Sequence, residues 1–295
     1  MRILGKIKIL VCCHKKDVMA CGEQFFPIHV GKALHSEVEL GIQADNTGEN
    51  ISKKNTSYCE LTGMYWAWKN LKNVDVIGLN HYRRYFDYYG QASRAYESES
   101  YPSSRFDELK LLTPKHILEK VQDGVIVTAN PISFDASLAY TYCYYHNSAD
   151  FRALQHVIAT TQPEYVKKAF WEVMYQNYRL MPFNMFLMRW DDFDKYCTWL
   201  FQILSHVEDI TDVSDYGPVQ RRIYGYMGER LFNVWLVAEK KRLIRRPILW
   251  INETPSSHLS KLKTCLTRFK YALGYHFLKG KYIGLEDNWK GTTKE

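Results

Sequence analysis

The chain has 295 residues, of which 46% are hydrophobic and 24% are charged, and its formal net charge is +7. These proportions are typical of a folded globular protein and exclude an intrinsically disordered chain. The seven cysteines include no Cys-x-x-Cys pair, which argues against a zinc site and a disulfide framework and favours a reducing, cytoplasmic location.

The beginning of the chain does not resemble a secretory signal, because Lys6 and Lys8 interrupt its apolar residues and no small-residue cleavage site follows. No run approaches the roughly 20 apolar residues of a membrane-spanning helix. We therefore expect a protein without a transmembrane segment.

Strand and helix patterns alternate through the first 130 residues. Four short apolar runs have strand composition: 6–12, 38–42, 74–79 and 124–129. A helix is predicted at 57–71, where Ser57 and Glu60 have the spacing of a capping box. This alternation predicts an α/β fold with a mostly parallel sheet flanked by helices.

The second half of the chain is predicted to be mainly helical. The helical patterns lie at 136–160, 163–177, 192–207 and 225–242. A strand-like segment at 180–188 contains Pro182, which places it at the edge of a sheet or at the start of a strand. Residues 87–108 lack periodicity and are predicted to form a loop that closes over substrate.

The positive charge is concentrated near the end of the chain. From Lys240 onward there are 13 Lys and Arg residues against 4 Asp and Glu residues. Apolar residues recur there at helical spacing: Leu259, Leu262, Leu266, Phe269 and Leu273. We therefore predict a main domain at 1–240 and a basic helical extension at 241–295. The extension is either a solvated tail or a surface that docks on the anionic inner membrane.

Polar side chains follow three of the predicted strands. They are His14 and Lys15, then Asp45 and Asn46, and then the run from His81 to Arg84. In open α/β sheets, ligands bind outside the carboxyl ends of the strands. The three clusters therefore predict one binding pocket, although His14 and Lys15 are equally compatible with a solvated strand end.

The tandem Arg83 and Arg84 offer forked donors that match a diphosphate. The alternative is that the two side chains point to opposite faces of a strand and form ordinary ion pairs. Asp45 and Asn46 are suited to bind a ribose or a base edge, but Asx residues are also common turn formers.

Three further positions are candidates on helices. Trp66 lies off the apolar stripe of its helix, so it either faces the pocket or joins the core. Glu229 has apolar neighbours that would raise its pKa and suit it as a general base, unless it forms an ion pair. His146 and Asp150 are one helical turn apart, which permits a metal site, a paired histidine and carboxylate, or a surface contact.

Two runs in the first hundred residues resemble a bacterial family long catalogued as a domain of unknown function. They are Asn55-x-x-Tyr58-Cys59-Glu60-Leu61-Thr62-Gly63-x-Tyr65-Trp66-Ala67-Trp68-Lys69-Asn70 and Val76-Ile77-Gly78-Leu79-Asn80-His81-Tyr82-Arg83-Arg84-Tyr85-Phe86. Weaker similarities lie around His146, Asn184 and Glu229, so the resemblance covers residues 6–240. Members of this family occur in capsule, exopolysaccharide and O-antigen gene clusters.

The resemblance implies a GT-A-like glycosyltransferase, and some relatives are assigned as inverting galactofuranosyltransferases that use UDP-galactofuranose. From the basic tail we also expect a peripheral position on the inner face of the plasma membrane, where lipid-linked oligosaccharide acceptors reside. Many GT-A enzymes hold a divalent metal with an Asp-x-Asp pair. This sequence has Asn80-His81-Tyr82-Arg83-Arg84 at the corresponding place, so no metal or other cofactor is expected to be required.

Roles for individual residues follow from the resemblance and the strand-end pattern together. The predicted catalytic residues are Glu229, Arg83, Arg84 and His81. The predicted nucleotide-sugar site consists of His14, Lys15, Asp45, Asn46, Asn55, Glu60, Trp66, Tyr82, Asn184 and Met185. The predicted acceptor residues are His146, Asp150 and Arg230.

Two other functions remain open on the sequence alone. A non-enzymatic RNA-binding protein would also have a basic tail and many aromatic residues, although no RNA-binding motif is present and no nucleic-acid partner is expected. A retaining transferase on the same fold, acting on another nucleotide sugar, is the second alternative.

Overall fold

The structure is a computed structural model that describes residues 5–91 and 99–252. The strands of these residues are β1 (Ile7–Cys13), β2 (Phe25–His29), β3 (Gln43–Ala44), β4 (Val76–His81), β5 (Arg84–Phe86), β6 (Glu99–Pro102), β7 (Val125–Ala129), β8 (Ile132–Ser133), β9 (Arg179–Leu180), β10 (Phe186–Arg189), β11 (Arg242–Arg246) and β12 (Ile248–Asn252). The helices are α1 (Asn55–Tyr58), α2 (Leu61–Asn70), α3 (Lys115–Gln122), α4 (Leu138–Tyr145), α5 (Ser148–Thr161), α6 (Glu164–Trp171), α7 (Trp190–Glu208) and α8 (Ile223–Ala238).

The main sheet has the strand order β11-β7-β10-β4-β1-β2-β3. Its neighbouring strands pair in parallel except for β10, which is antiparallel to both β4 and β7. The carboxyl ends of the parallel strands and the amino end of β10 therefore meet at one edge of the sheet.

Both faces of the sheet are covered. In β1, Leu10 and Cys12 pack into a core with α2 and α5 to α8, whereas Ile9 and Val11 pack into a second core with α3, β5 and β12. Alternate residues of a strand point to opposite faces, so a central strand that is covered on both faces is apolar throughout. The predicted α/β fold with a mostly parallel sheet flanked by helices is confirmed.

A tight hairpin extends β4 beyond the sheet. His81 of β4 pairs with Arg84 of β5, and only Tyr82 and Arg83 lie between them. Strand β12 then pairs antiparallel with β5 and parallel with β6. The hairpin is therefore held between the sheet edge and a strand from the end of the described chain.

The predicted strand at 38–42 is wrong. Gly41 adopts a φ of 68° in this segment, which breaks an extended strand, and only the short β3 follows it. The second strand of the sheet is instead β2, which contains Pro27 and escaped prediction for that reason. The predicted loop at 87–108 also contains structure, because β6 and a 3₁₀ helix at Ser103–Glu108 lie within it.

Two predicted helices are each divided in the structure. The helix at 57–71 breaks at Cys59, whose φ is 51°, and α2 begins at Leu61 without a side-chain cap. The capping box is therefore wrong. The helix at 136–160 breaks between α4 and α5, where the side chain of Asn147 accepts a hydrogen bond from the backbone N–H of Ala149.

The sheet continues past residue 240. Strands β11 and β12 occupy the first part of the predicted helical extension, so residues 242–252 belong to the sheet. The amphipathic stripe from Leu259 to Leu273 lies outside the described residues, and the helical nature of the remaining extension stays a prediction. Within residues 5–91 and 99–252, no helix is both long enough and apolar enough to cross a membrane.

Candidate functional site

A cleft with a volume of about 1020 Å³ lies at the sheet edge where the carboxyl ends of β1 and β4 meet the amino end of β10. We call it the strand-end cleft. Its remaining walls come from α1, the β4–β5 hairpin, β12 and the beginning of α8. This is the location at which open α/β sheets bind ligands.

The turn before β10 organises the floor of the cleft. Phe183 and Asn184 adopt positive φ angles of 73° and 53°. The Phe183 carbonyl accepts a hydrogen bond from His81 Nε2 at 2.8 Å, and the Phe183 N–H donates to Glu229 Oε1 at 2.8 Å. Asn184 Nδ2 donates to Glu60 Oε1, also at 2.8 Å. One strained turn thus holds a histidine and two carboxylates in place.

His81 is a neutral ring in this arrangement. Burial lowers its pKa to about 3, with Arg84 adding to the effect. Because its partner is a carbonyl oxygen, the ring proton must reside on Nε2. His81 is therefore a hydrogen-bond donor that fixes the turn, and it does not supply a positive charge near neutral pH.

Two carboxylates line the cleft, Glu60 at the start of α2 and Glu229 in α8. Burial raises the pKa of Glu229, which is opposed by Arg230 and reinforced by Glu60. Burial also raises the pKa of Glu60, opposed by the hydrogen bond from Asn184. A carboxylate with a raised pKa accepts a proton more readily, which suits it to act as a general base.

The two arginines of the hairpin have different surroundings. Arg83 donates from Nε and Nη2 to Asp17 Oδ2 at 2.9 and 2.6 Å, so an ion pair engages this side of its guanidinium. Arg84 packs against the rings of Phe183 and Trp250, with its guanidinium carbon 4.5 and 4.1 Å from their centroids. Its Nε is buried, and within the described part of the chain it has no hydrogen-bond partner.

The electrostatic environment of Arg84 combines burial with two nearby acids. Burial lowers the pKa of Arg84, and the charges of Glu60 and Glu229 oppose that change. The guanidinium remains charged, because arginine is effectively always protonated in proteins. Arg84 therefore supplies a fixed cation at the hairpin, where it packs against two aromatic rings.

Arg222 is a cleft residue that was not predicted to bind substrate. It precedes α8, lines the cleft, and donates from Nε to Cys59 Sγ at 3.2 Å. A sequence signal was available, because Arg221 and Arg222 form a second tandem pair. The cleft thus has two arginine sources, the hairpin and the start of α8.

Several predicted binding residues do line the cleft. They are His14, Asn55, Glu60, His81, Tyr82, Arg83, Arg84 and Glu229. Asn55 uses its Nδ2 to donate to the Cys59 carbonyl at 2.8 Å, which stabilises the break between α1 and α2. His14 packs edge-on against Tyr82 with their centroids 5.6 Å apart. The prediction that strand ends converge on one pocket is confirmed for β1 and β4.

The residues after β3 are placed differently. Asp45 is fully buried, and it accepts hydrogen bonds from the N–H groups of Gly31 and Lys32 and from the hydroxyls of Ser52 and Thr62. With these four donors, Asp45 anchors the chain behind the cleft wall and has no surface for a nucleoside. Asn46 is exposed and does not line the cleft.

Four other predicted donor-site residues also lie outside the cleft lining. Asn184 is buried and donates to Glu60 from behind the lining. Trp66 donates to the Thr47 carbonyl at 3.0 Å and stacks on Phe26, so the prediction that it faces the pocket is wrong. Met185 is buried in the core on the α3 side of the sheet. Lys15 is exposed beside the cleft, with its Nζ 4.0 Å from Asp17 Oδ2.

Behind Glu229 lies a second polar group, the Arg230 cluster, which comprises Tyr142, His146, Asp150 and Arg230. Arg230 is 4% exposed, donates to the Tyr226 carbonyl at 2.9 Å and lies over the Tyr142 ring at 4.9 Å. His146 stacks on Tyr226 with centroids 4.0 Å apart. None of these residues lines the cleft, and Arg230 reaches it only through Glu229, whose Oε2 is 3.8 Å from Arg230 Nη1.

The expected helical face shared by His146 and Asp150 does not exist. His146 follows the end of α4, whereas Asp150 lies in the first turn of α5. Asp150 accepts a hydrogen bond from the Tyr216 hydroxyl at 2.7 Å and is 3% exposed. The acceptor role of His146, Asp150 and Arg230 stays a prediction, and a direct contact would require this cluster to open.

The sequence model of a family described as "Domain of unknown function (DUF4422)" matches residues 8–241. None of the curated proteins matches the chain at a significant level. A solved structure titled "WbbM bifunctional glycosytransferase apo structure" is similar with a TM-score of 0.76 and 28% sequence identity. The similarity covers 84% of this chain and 45% of that chain, so this chain spans less than half of that protein. Because the family match covers most of its length, the chain belongs to the DUF4422 family.

Proposed function

We propose that the chain is a glycosyltransferase that moves a sugar from a UDP-sugar donor to a polysaccharide acceptor. The observation that carries this proposal is the placement of Arg84 in the strand-end cleft near two carboxylates, Glu60 and Glu229, whose pKa values are raised. A fixed cation for a leaving diphosphate and a base for an incoming hydroxyl are the groups that sugar transfer requires. The similar solved structure supports the same reaction class.

The proposed reaction is a single displacement. Glu229 removes the proton from an acceptor hydroxyl, and that oxygen forms a bond to the anomeric carbon of the donor sugar. The bond between this carbon and the diphosphate oxygen breaks, and its electron pair leaves with UDP. Attack opposite the leaving group inverts the configuration at the anomeric carbon.

Arg84 and Arg222 are proposed to neutralise the departing UDP. Arg84 packs against two rings, and Arg222 lines the same cleft directly before α8. Arg83 was expected to share this role, but its ion pair with Asp17 makes it a support of the hairpin. Guanidinium groups bind phosphate oxygens through two parallel N–H donors, which suits a diphosphate.

Glu229 is a better candidate base than Glu60 in this geometry. Glu60 Oε1 accepts a hydrogen bond from the Asn184 side chain. Glu229 Oε1 accepts a hydrogen bond from the Phe183 backbone N–H, and its Oε2 lies 3.8 Å from Arg230 Nη1. A rigid backbone donor fixes the orientation of Glu229. Glu60, whose carboxylate Asn184 orients, is proposed to bind hydroxyl groups of the donor sugar.

The donor sugar is proposed to be galactofuranose, and the acceptor a growing capsule, exopolysaccharide or O-antigen chain on a lipid carrier. Both follow from the family resemblance. The basic residues beyond 252 are proposed to dock on the anionic inner leaflet, where such acceptors reside. If a protein truncated after residue 252 still bound anionic liposomes as the full chain does, the docking proposal would be overturned.

The transfer is proposed to proceed without a divalent metal. The strand end that carries an Asp-x-Asp pair in many GT-A enzymes has Asn80, His81 and the two arginines of the hairpin here. These residues do not fit a divalent cation, because arginine lacks a lone pair for coordination and repels positive charge. Activity should therefore persist in EDTA; a complete loss that manganese restores would contradict the proposal.

The decisive experiment is a screen of nucleotide sugars against the full chain. Thermal stabilisation and slow hydrolysis should single out one UDP-sugar, and the configuration of the transferred sugar in the product, determined by NMR, should be inverted. Tight binding to unrelated RNA with a steep salt dependence, and no response to any nucleotide sugar, would overturn the enzyme proposal.

A further inference from the structure

We propose that Trp250 is a positioning residue for substrate binding, which holds the Arg84 guanidinium in the orientation that receives the donor diphosphate. This inference rests on the proposed function of the strand-end cleft. It extends the functional site into β12, beyond residues 8–241 that the family match covers.

The register of the sheet places the two residues together. In the antiparallel pair of β5 and β12, Trp250 is directly opposite Arg84. Side chains directly opposite each other across two strands lie on the same face of the sheet and are close neighbours. The contact therefore follows from the strand pairing and not from a chance approach of two long side chains.

The two rings clamp the Arg84 guanidinium from adjacent sides, because they are nearly perpendicular to each other. The Arg84 guanidinium carbon is 4.1 Å from the Trp250 ring centroid and 4.5 Å from that of Phe183. The two rings contact each other at 83°, with centroids 5.7 Å apart. Cation–π attraction operates within about 6 Å of a ring centroid and is stronger where water is excluded. Arg84 is thus confined by two rings that offer no hydrogen-bond acceptor.

This confinement has a consequence for ligand binding. Aromatic rings do not take up the N–H donors of a guanidinium as a carboxylate does, so the donors of Arg84 other than the buried Nε remain available for the oxygens of a diphosphate. Arg83, the neighbouring residue, illustrates the opposite case, because Asp17 engages two of its donors. A flexible Arg84 would be drawn toward Glu60 or Glu229, whose charges already act on it. The clamp prevents such an internal ion pair.

The test distinguishes the effect of an aromatic ring at position 250 from the effect of a large apolar side chain. The full-length variants Trp250→Phe and Trp250→Leu keep a large apolar side chain, but only phenylalanine retains an aromatic face. UDP affinity is measured by calorimetry, and kcat and KM are measured with the active UDP-sugar. The Leu variant should bind UDP about tenfold more weakly, and the Phe variant should remain within about threefold of the parent. The matched control is Leu249→Val, because Leu249 is fully buried in the neighbouring position of the same strand.

A double-mutant cycle with Arg84→Gln completes the design. If Trp250 acts through Arg84, Trp250→Leu should cause no further loss of UDP affinity in the Arg84→Gln background. Equal UDP affinity of the parent and the Leu variant would overturn the inference and leave the proposed function intact. Equal losses in the Leu, Phe and Leu249→Val variants would show a merely structural role and overturn it as well. A parent protein that binds neither UDP nor pyrophosphate would overturn both proposals.

Discussion

The strand-end cleft and the Arg230 cluster contain the same kinds of side chain and differ in what their polar edges contact. Each has an arginine over an aromatic ring, a histidine with a lowered pKa and a carboxylate with a raised pKa. In the cluster, Asp150 is bound by Tyr216, and Arg230 by the Tyr226 carbonyl. In the cleft, the groups border open space.

The types of residue that are present therefore do not by themselves identify a binding site. Glu229 and Arg230 are adjacent in α8, yet the first lines the cleft and the second is 4% exposed behind it. Adjacent positions of a helix point about 100° apart, so one helix supplies both regions. What distinguishes a binding group is a polar edge that the fold leaves accessible.

Replacing Glu229 should produce the largest effect on activity. We expect Glu229→Gln to lower kcat by about 10³-fold, because the amide keeps the shape and accepts the Phe183 N–H but does not accept a proton. The measurement is steady-state transfer with the donor identified by the nucleotide-sugar screen. A loss of less than tenfold would assign the base elsewhere, with Glu60 as the next residue to test.

The stability of the same variant provides the control. The folded-state pKa of Glu229 is raised, so its contribution to stability is fully present below the unfolded pKa of about 4.3 and is lost as the pH rises through the folded value. At pH 7 the Glu229→Gln protein should therefore unfold at the same temperature as the parent or at a higher one. Lower stability at pH 7 would mean that the activity loss reflects damage to the fold.

The next largest effect on activity is expected for the two hairpin arginines, which should differ from each other. We expect Arg84→Ala to lower kcat/KM by about 10²-fold, as removal of a charge-stabilising donor does in other enzymes. Arg83→Ala should lower it by less than about tenfold and should mainly reduce thermal stability, because it breaks a partly buried ion pair and leaves Asp17 without this partner. Equal losses of kcat/KM in the two variants would indicate that Arg83 and Arg84 both bind the diphosphate.

Arg83 and Arg84 also show which features of the site could be predicted from the sequence and which could not. The pattern of apolar runs predicted β1, β4 and β7, and the polar residues after β1 and β4 correctly indicated the cleft. The alternative in which the two arginines diverge was open from the sequence. Which of them would be ion-paired depended on Asp17, far away in the chain, and no local pattern shows such a partner.

Other errors had a similar origin in tertiary contacts. Ser57 and Glu60 have the spacing of a helix cap, but the Glu60 carboxylate instead accepts a hydrogen bond from Asn184 in a distant turn. Trp66 lies off the apolar stripe, yet it is buried against Phe26, and its indole N–H donates to the Thr47 carbonyl. The contribution of β12 to the cleft was not predicted, because β12 lies among basic residues that indicated a C-terminal extension. In each case a long-range partner overrode a local preference.

The two histidines offer a test with a moderate effect. Burial lowers the pKa of His81 to about 3 and that of His146 to about 4. Each therefore contributes stability that is complete above its unfolded pKa of about 6.5 and that is lost as the pH falls toward the folded value. Relative to His81→Asn, the parent should lose about 2 kcal/mol of unfolding free energy between pH 6.5 and pH 5, measured by urea denaturation.

His146→Asn should show a similar pH dependence of stability, because both folded-state values lie below pH 5. Activity should separate the two: only His81 holds the Phe183 carbonyl in the cleft, so only its variant should lose transfer activity. A flat stability difference for both variants would show that the rings are not buried in the neutral form.

The smallest effect is expected in the Arg230 cluster. Asp150→Asn should change kcat/KM by less than about twofold, because the asparagine side chain still accepts the Tyr216 hydroxyl and Asp150 borders no open space. The control is Asn184→Ala, which removes the donor to Glu60 and should raise KM for the donor sugar. A large effect of Asp150→Asn on the KM for the acceptor, with the donor KM unchanged, would show that the cluster opens during turnover. Asp150 would then be assigned to the acceptor site, and the difference between the open strand-end cleft and the closed Arg230 cluster would hold only for the resting enzyme.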